Sequence, residues 1–587
     1  MSIATRLRRR TAVHRPQWTD ADTWLAAAFV IGAILLYAGL WGNLSGGYLT
    51  HSGADQNLWE WFFSVTAKTV TDGGNPLFSD LQNQPLGVNL MANTSMLGIG
   101  LPLAPLTILF GPTVTWAVAL TFGLAGTGFA WYRLFFRYLV RSRAAAALGG
   151  AFCAFAPPVI SHATAHPNFV VGFVFPLLLG TLIRLARGDR PVRDGVLAGL
   201  LTAYQVFLGE EPLLIFAVAL LVFGLAFLPT VADRARTVRA LARGLGIGAL
   251  VTLAIIAIPV WWQFFGPQSY QVLDHGQTGN DLAAFTHYAS QSIAGDPASA
   301  SQYAMNPTEE NAFFGWPLVV LLVVLGYWLR RDGLARALGI TALVMAWLST
   351  GVELMVAHTG TGIPGPWAIL TNLPPFDSVL ESRLTLGAVP AIAALLAIAT
   401  DRIRATASQQ ESPVRLLWLG TLTAVLLPLV PVPLETHERP PTPAFLADGT
   451  WKSYVDPGGT VVTVPLPSPG NSEPLHWQAD AGLDFPLPGG YFVGPNGPDD
   501  PRGRYGAPLR PTAQLLETVA DKGESAGETD AERSAAKRDL RYWHADVVVL
   551  VPRDHDEALW RTVSALLGQP GRQVNGVWIW DVRKLTR

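Results

Sequence analysis

The chain has 587 residues, of which 50% are hydrophobic and 14% are charged, and its formal net charge is −2. Soluble proteins carry about 25% charged residues, so a single large water-soluble core is excluded. Long apolar runs instead alternate with short arginine clusters, a pattern typical of repeated membrane spans. The arginines flank apolar runs and the net charge is small, so nothing indicates a nucleic-acid partner.

The N-terminus carries a basic stretch, Arg6–Arg10, ahead of an apolar run at 23–42. That run is longer than the core of a signal peptide, which is roughly 7–15 residues, so we expect a retained first span after a cytoplasmic N-terminus at 1–22. Cys153 is the single cysteine, which excludes an intrachain disulfide and a metal site built from cysteines.

Eleven apolar runs are predicted to cross the membrane. They are 23–42, 113–136, 144–161, 168–184, 194–209, 212–230, 244–265, 312–329, 337–357, 384–400 and 416–433. A further run, 96–110, is short and contains Pro102 and Pro105. If 96–110 does not cross, every arginine cluster lies on the cytoplasmic side, as the positive-inside rule favours. We therefore predict a re-entrant or surface-lying element there, with twelve spans as the alternative.

The predicted fold is a polytopic α-helical membrane protein of about 11 transmembrane helices, with the N-terminus inside and the C-terminus outside. Its transmembrane domain covers 23–433 and includes a long first outer loop at 43–112. The cytoplasmic loops are short, and no P-loop, dinucleotide fingerprint or HExxH motif is present. We therefore expect the active face to be extracytoplasmic. The scarcity of lysine relative to arginine, with heavy use of Ala, Gly and Pro, favours a GC-rich bacterial genome and so the plasma membrane of a bacterium.

Residues 434–587 are predicted to form a soluble extracytoplasmic domain. Short β-like runs occur at Val461–Leu466 and Asp546–Val551, followed by a helical pattern at 556–568 and a last strand at Val577–Val582. This order of strand, helix and strand indicates a small α/β or α+β domain.

The first outer loop contains an acidic residue, Asp55, shortly after the first span. A Trp-rich amphipathic segment follows it, with Glu60 between Trp59 and Trp61, and such a segment favours the membrane interface. One interpretation of Asp55 is structural, because an aspartate in front of a periodic apolar pattern is a common helix N-cap.

Many spans, this first loop with its early acid, interfacial helices and a soluble C-terminal domain together resemble the GT-C superfamily of membrane glycosyltransferases. The resemblance implies a polyprenyl-phosphate-linked sugar donor, membrane lipid as surroundings, and a glycan, lipid or protein acceptor. Families of this type often carry paired acids at this point, whereas Asp55 is followed by Gln56 here. No cofactor is therefore assigned; a divalent cation stays open, with its ligands unknown.

Transfer of this kind needs a general base for the acceptor hydroxyl, and Asp55 is the predicted catalytic base. The leaving lipid phosphate needs Arg, Lys or His donors. Arg383 is one candidate, because an outer arginine runs against the positive-inside trend; pairing with Asp377 or Glu381 is its alternative explanation. Lys68 and Glu60, in the first loop, are further candidates for substrate binding.

Two short outer connections supply the other candidates. His162 and His166 have a spacing found among metal ligands, although Pro167 ends the turn and both could be ordinary interfacial residues. Glu210 and Glu211 are predicted in a turn between two spans, where adjacent carboxylates are costly and indicate a role in binding substrate. The alternative is that both reach water at the outer rim.

Two other functional classes compete with the transferase. A transporter or flippase of lipid-linked sugars would show charged or broken spans and paired repeats, which this sequence lacks. A non-catalytic membrane scaffold would present the C-terminal domain and would tolerate loss of Asp55.

Overall fold

A computed structural model describes residues 18–188, 190–276, 278–371, 373–374, 376–406, 413–527 and 529–587. The basic stretch Arg6–Arg10 lies outside the described residues. The chain divides into two compact units. The first, called the helical unit, comprises the chain up to Ser52, Ala117–Ile256 and His275–His437, and the second, called the mixed unit, comprises Gly53–Trp116, Ala257–Asp274 and Glu438–Arg587.

Helical structure overlaps each predicted span, although several spans are divided between two helices and the predicted span 337–357 ends in the β-strand Glu353–Val356. The α-helices in this apolar part of the chain are Asp20–Leu36, Ala38–Gly42, Pro112–Tyr138, Arg143–Phe155, Pro157–His162, Pro167–Val170, Val174–Arg187, Pro191–Val206, Glu210–Phe227, Arg234–Phe265, Pro297–Ala300, Trp316–Leu329, Gly333–Leu348, Val389–Thr406 and Pro413–Leu426. The antiparallel strands Glu353–Val356 and Thr359–Pro364 form a hairpin in the same unit.

Five helices among the described residues are long and apolar enough to cross a membrane. They are Pro112–Tyr138, Pro167–Arg187, Glu210–Thr230, Arg234–Phe265 and Glu381–Ala405. Only 17% of the apolar window of Glu210–Thr230 is buried, so most of its side chains need a lipid environment. The chain is therefore a multi-pass membrane protein, while the count of eleven spans and the orientation stay predictions.

The short run at 96–110 is a separate helix, Leu97–Phe110, with Pro102 and Pro105 inside it. Its 14 residues extend about 21 Å, less than the roughly 30 Å of a bilayer core. In the mixed unit this helix packs on helix Asp55–Asp72, and a Cβ added at Gly100 would lie 3.1 Å from Thr66 Oγ1. Glycine allows this close approach.

The mixed unit is built around a four-stranded sheet. Its order is Arg572–Val574, Val577–Asp581, Ala545–Leu550 and Thr460–Val464, with the last pair parallel and the others antiparallel. The two apolar strands are buried on both faces, which explains their unbroken hydrophobic runs. Three of these strands and the helix Asp556–Leu567 are confirmed close to the positions that the sequence predicted, whereas the strand Arg572–Val574 was not predicted.

Helices cover one face of this sheet. They are Pro511–Lys522, Asp530–Tyr542 and Asp556–Leu567, which contribute Leu516, Leu540 and Leu559 to a core with Val462 and Val548. Phe445, Trp451 and Phe485 pack with Val461 and Val547 in a second core. Because residues 53–116 belong to the same unit, this unit is larger than the predicted domain at 434–587.

Helix Asp55–Asp72, called the first-loop helix, is bound to the C-terminal segment by buried polar contacts. Asn57 Nδ2 donates to Ser472 Oγ at 2.9 Å, and Trp61 Nε1 donates to Gln478 Oε1 at 2.6 Å. Arg439 donates to both oxygens of Glu60 at 2.8 and 3.0 Å, and the two side chains are 4% and 1% exposed. These contacts fix the orientation of the helix within the mixed unit.

The buried ion pair is expected to be costly to break. Glu60→Gln leaves the Arg439 guanidinium buried without a full counter-charge, so we expect a loss of about 3–5 kcal/mol in the free energy of unfolding. Thermal and denaturant unfolding of the full chain in detergent, followed by tryptophan fluorescence, measures it.

The matched control is Lys68→Gln. Lys68 Nζ lies 3.1 Å from Asp72 Oδ2, but the two side chains are 32% and 56% exposed. An exposed pair contributes at most about 1 kcal/mol. Equal destabilisation by both substitutions would contradict the structural importance assigned to Glu60.

Candidate functional site

Two prolines shape the loop that carries His162 and His166. Pro157 opens helix Pro157–His162, and Pro167 opens helix Pro167–Val170, so the chain must leave the helical conformation at His166. The turn is closed by the His166 backbone N–H, which donates to the His162 carbonyl at 2.8 Å. The buried Tyr37 hydroxyl donates to the Ala163 carbonyl at 2.9 Å and anchors the loop to the first helix. The two imidazoles consequently meet, with their Nδ1 atoms 2.8 Å apart.

Glu211 lies in the first turn of helix Glu210–Phe227, not in a turn between spans as predicted. The helix begins at once because Gly209, at φ +159°, redirects the chain, and a Cβ there would lie 3.0 Å from Asn168 Cβ. A carboxylate in a first helical turn is favoured by the unpaired backbone N–H groups. Glu210 occupies the first position of the same helix.

Arg383 is the centre of the site. It belongs to the 3₁₀ segment Glu381–Gly387, which leads into helix Val389–Thr406. Its Nη1 donates to Glu211 Oε2 at 2.6 Å, and its Nη2 and Nε donate to Glu309 Oε1 at 2.5 and 3.1 Å. The predicted alternative partners Asp377 and Glu381 are not the ones used: Glu381 instead accepts from the Thr278 hydroxyl.

An aromatic ring joins the histidines to the ion pairs. The His162 ring stacks on Phe169 at 4.5 Å between centroids, and the Arg383 guanidinium lies 5.0 Å from the centroid of the same ring. Asn311 Nδ2 donates to Glu309 Oε2 at 2.8 Å and fixes that carboxylate. We call His162, His166, Glu211, Glu309 and Arg383 the arginine cluster; all five belong to the helical unit.

The charged groups of the cluster shift one another's protonation. Burial alone would raise the pKa of Glu309, but the charge of Arg383, followed by the two histidines, brings this pKa well below its ordinary value. Burial lowers the pKa of His162, so that imidazole is neutral near pH 7. Arg383 is shared by two carboxylates, those of Glu211 and Glu309.

Three members of the cluster have the chemistry of metal ligands. One ligand atom from each of His162, His166 and Glu309 lies within 4.8 Å of the others. Ligands of a four-coordinate Zn²⁺ lie roughly 3 Å apart, and the separations here are 2.8 Å between the imidazoles and 3.8 Å from His166 to Glu309. Among the described residues, neither the buried His162 Nε2 nor the buried Glu211 Oε1 has a hydrogen-bond partner. This set of two nitrogens and one oxygen fits a small transition-metal cation.

The predicted base lies in the mixed unit. Asp55 is the first residue of the first-loop helix, and Ala54, not Asp55, is its N-cap. The Tyr491 hydroxyl donates to Asp55 Oδ1 at 2.5 Å. Tyr491 precedes the hairpin of strands Val493–Gly497 and Asp500–Tyr505, so the C-terminal segment orients this carboxylate.

The other predicted residues of the first loop have structural partners. Glu60 is buried against Arg439, and Lys68 pairs with Asp72 and Asp484. Burial alone would raise the pKa of Glu60, but Arg439 holds it below its ordinary value. These contacts favour roles in holding the first-loop helix.

Within the helical unit, the structure brings together His162, His166, Glu211 and Arg383. Sequence reasoning missed Glu309, Asn311 and Tyr491. Glu309 had a usable signal, because Glu309 and Glu310 are adjacent acids just before a span, like Glu210 and Glu211. Tyr491 had none, since 436 residues separate it from Asp55.

Solved structures share this arrangement of helices. The archaeal oligosaccharyltransferase AglB from Archaeoglobus fulgidus, in complex with an inhibitory peptide and a dolichol-phosphate, is 12% identical, with a TM-score of 0.51 over 90% of this chain and 69% of that one. The apo form of the oligosaccharyltransferase from the same organism is 12% identical, with a TM-score of 0.50 over 91% of this chain and 70% of that one. The arabinofuranosyltransferase AftD from mycobacteria is 15% identical, with a TM-score of 0.54 over 96% of this chain and 40% of that one.

The chain has the GT-C fold. The resemblance to the GT-C superfamily that the sequence suggested is therefore confirmed at the level of the fold. This chain spans 40% of the length of AftD. No family model matches the sequence, and no curated protein matches it. The GT-C likeness therefore leaves donor, acceptor and site residues to be argued from the chain itself.

Glu310, an acid next to Glu309 in the sequence, predicts that the stability of the fold depends on pH. Glu310 is 2% exposed, and burial raises its pKa from 4.5 to about 7, although the Ser290 backbone N–H donates to its Oε2 at 2.7 Å. The protonated form is favoured on folding, so this group stabilises the fold below about pH 4.5 and loses that contribution as pH rises through about 7. The free energy of unfolding is therefore about 3 kcal/mol larger below pH 4.5 than above pH 7 as a result of this one group. Apparent melting temperatures of the wild type should therefore fall more between pH 5 and pH 8 than those of Glu310→Gln.

The control for this measurement is Asp80→Asn, a change at an exposed acid. Its pH dependence should match that of the wild type. Parallel curves for the wild type and Glu310→Gln would contradict the buried, titrating carboxyl.

Proposed function

We propose that this protein is a membrane glycosyltransferase that moves a sugar from a polyprenyl-phosphate donor to an extracytoplasmic acceptor in a bacterial plasma membrane. The GT-C fold carries the proposal, because the solved neighbours are named as an oligosaccharyltransferase and an arabinofuranosyltransferase. AglB was solved with a dolichol-phosphate, which supports a lipid phosphate as the donor's carrier. The acceptor is a glycan, a lipid or a protein.

Asp55 is the proposed general base. A carboxylate can take the proton of the acceptor hydroxyl as that oxygen attacks the anomeric carbon, and a nearby anion stabilises an oxocarbenium-like transition state. Asp55 stands at the end of a helix whose other polar residues are held by Ser472, Gln478 and Arg439. A carboxylate on such a support is well oriented, as catalysis requires.

The arginine cluster is the proposed site for the lipid phosphate. Arg383 already faces the two carboxylates of Glu211 and Glu309, so a divalent cation on His162, His166 and Glu309 would add the positive charge that a lipid phosphate needs. When bound, such a cation supplies a Lewis acid for a phosphate oxygen. Arg383 adds a guanidinium suited to bidentate phosphate contacts, and Glu211 and Glu309 hold it in place.

The first experiment tests the class and the base together. Wild type and Asp55→Asn are reconstituted in lipid nanodiscs with radiolabelled polyprenyl-phosphate sugars and a membrane-derived acceptor extract. We expect wild type to release polyprenyl phosphate and label a product, and Asp55→Asn to lose on the order of 10²–10⁴ in kcat. Asp80→Asn is the matched control in the same loop and should keep full activity.

Tyr491→Phe refines the assignment, because it removes only the hydroxyl that donates to Asp55. Loss of one hydrogen bond to a charged group should lower kcat about tenfold. Full activity in Asp55→Asn would remove Asp55 from catalysis. An absence of turnover with every donor would contradict the transferase itself.

Metal content tests the cluster. Wild type equilibrated with Zn²⁺ or Mn²⁺ and then desalted should retain one ion per chain by mass spectrometry, and His166→Ala should retain none. Free metal at about 100 times Kd should stabilise the wild type by about 2.7 kcal/mol, because only the folded state has the site. A chelator should reverse that gain.

The matched control is His437→Ala, which removes an exposed histidine of the same unit. It should bind metal like the wild type. Equal metal content in all three proteins would show that the cluster is not a metal site, and Arg383 would then be the remaining phosphate ligand.

A further inference from the structure

Three rings form a row in the loops of the helical unit, and none of them is a member of the arginine cluster. The centroids of His287 and Tyr303 are 4.4 Å apart, and those of Tyr303 and His358 are 5.9 Å apart. The last two rings are nearly parallel, with 6° between their planes. His358 is exposed, and the other two are half-buried. We call these three side chains the ring row.

The turn that presents His358 adopts an unfavourable backbone conformation. Ala357 and His358 have φ of +48° and +62°, a left-handed conformation that favours glycine or asparagine. Asp281 holds it there, since its carboxylate accepts the backbone N–H groups of Ala357 at 3.1 Å and His358 at 2.8 Å. The fold therefore maintains a strained turn, and its result is to place an imidazole parallel to Tyr303.

The other end of the row is equally fixed. His287 Nδ1 lies 2.7 Å from the Ala283 carbonyl oxygen, which can only accept, so Nδ1 carries the proton and Nε2 is left as an acceptor. Tyr303 packs against a small buried core that includes Ala300 and Phe313. The Leu282 backbone N–H donates to the Met355 carbonyl at 3.0 Å and ties this loop to the hairpin. These contacts support His287, Tyr303 and the backbone of the turn that carries His358.

We propose that the ring row binds a sugar ring of an oligosaccharide. A sugar has a face of C–H groups with partial positive charge, which fits the face of an exposed aromatic ring, and His358 is the exposed end of this stack. Hydroxyls at the rim of the sugar can hydrogen-bond to imidazole nitrogens. Side chains that packing already supports lose less conformational freedom when a ligand binds. The ligand class rests on the proposed function, in which this site would hold the acceptor glycan.

Binding is tested without a donor, so that no turnover is needed. The full chain in nanodiscs is titrated with maltohexaose, mannohexaose and arabinohexaose, which cover pyranoses and a furanose, using saturation-transfer NMR. We expect contact with sugar C–H protons for at least one hexaose, and at least tenfold weaker binding in His358→Ala. Tyr303→Leu keeps an apolar group on the small core and should weaken binding equally, whereas His437→Ala should not.

Two outcomes overturn the proposal. One is a binding result that does not depend on the ring row, which means either that the wild type binds no hexaose or that all variants bind equally. The other is insertion of the turn into lipid, since Val356 and Ile363 of the hairpin are 44% and 55% exposed. A spin label attached to the cysteine of His358→Cys reports insertion of the turn, and the labelling is selective because Cys153 is buried. Collision of the label with lipid-soluble oxygen, together with no binding of sugar, would assign the turn to the membrane surface.

The experiments distinguish a failure of the sugar-binding proposal from a failure of the proposed transferase function. Hexaose binding that persists in a protein without transfer would keep the ring row and reject the enzyme. Active transfer with an unchanged KM for a glycan acceptor in His358→Ala would keep the enzyme and reject the ring row.

Discussion

A guanidinium at the beginning of an apolar helix needs counter-charges, and much of the helical unit is arranged to supply them to Arg383. Its partners Glu211 and Glu309 are 172 and 74 residues away in sequence. Both must reach the same side chain, so the start of helix Glu210–Phe227 and the loop before Trp316 are held at one place. Removing one partner of such a buried set leaves an uncompensated charge, which is costly. The histidine loop joins the same group through Phe169.

The same constraint orders the mixed unit, with Arg439 and Glu60 in the corresponding roles. This pair lies among the neutral contacts of Asn57 and Trp61 with the C-terminal segment. The first-loop helix therefore shares its buried polar groups with residues far along the chain. This explains why residues 53–116 and 438–587 form one compact unit instead of a loop and a separate domain.

Buried charges of this kind are a poor way to gain stability, since apolar side chains of similar volume often serve as well. Their value is orientation. Arg383 and Asp55 are each held by partners that leave little rotational freedom, as sites for charged substrates require. The ring row follows the same logic with neutral groups, because Asp281 maintains a turn that a free chain would avoid.

The sequence by itself determined the elements. Apolar runs located the helices of the membrane part, and the unbroken run of valines at 547–549 located a strand buried on both faces, because hydrophobic pattern and length are local properties. It also singled out His162, His166, Glu211 and Arg383, since charged or metal-ligating groups beside apolar spans are unusual.

Only the tertiary structure decided which of these groups meet. It joined Arg383 to Glu211 and Glu309 and not to the nearby Asp377 or Glu381, and it placed Tyr491 on Asp55 across 436 residues. It also moved the unit boundary away from residue 434, because the first-loop helix buries its polar side chains against the C-terminal segment. Partner choice in a folded chain depends on how distant loops pack, and a single sequence does not encode that in any local pattern.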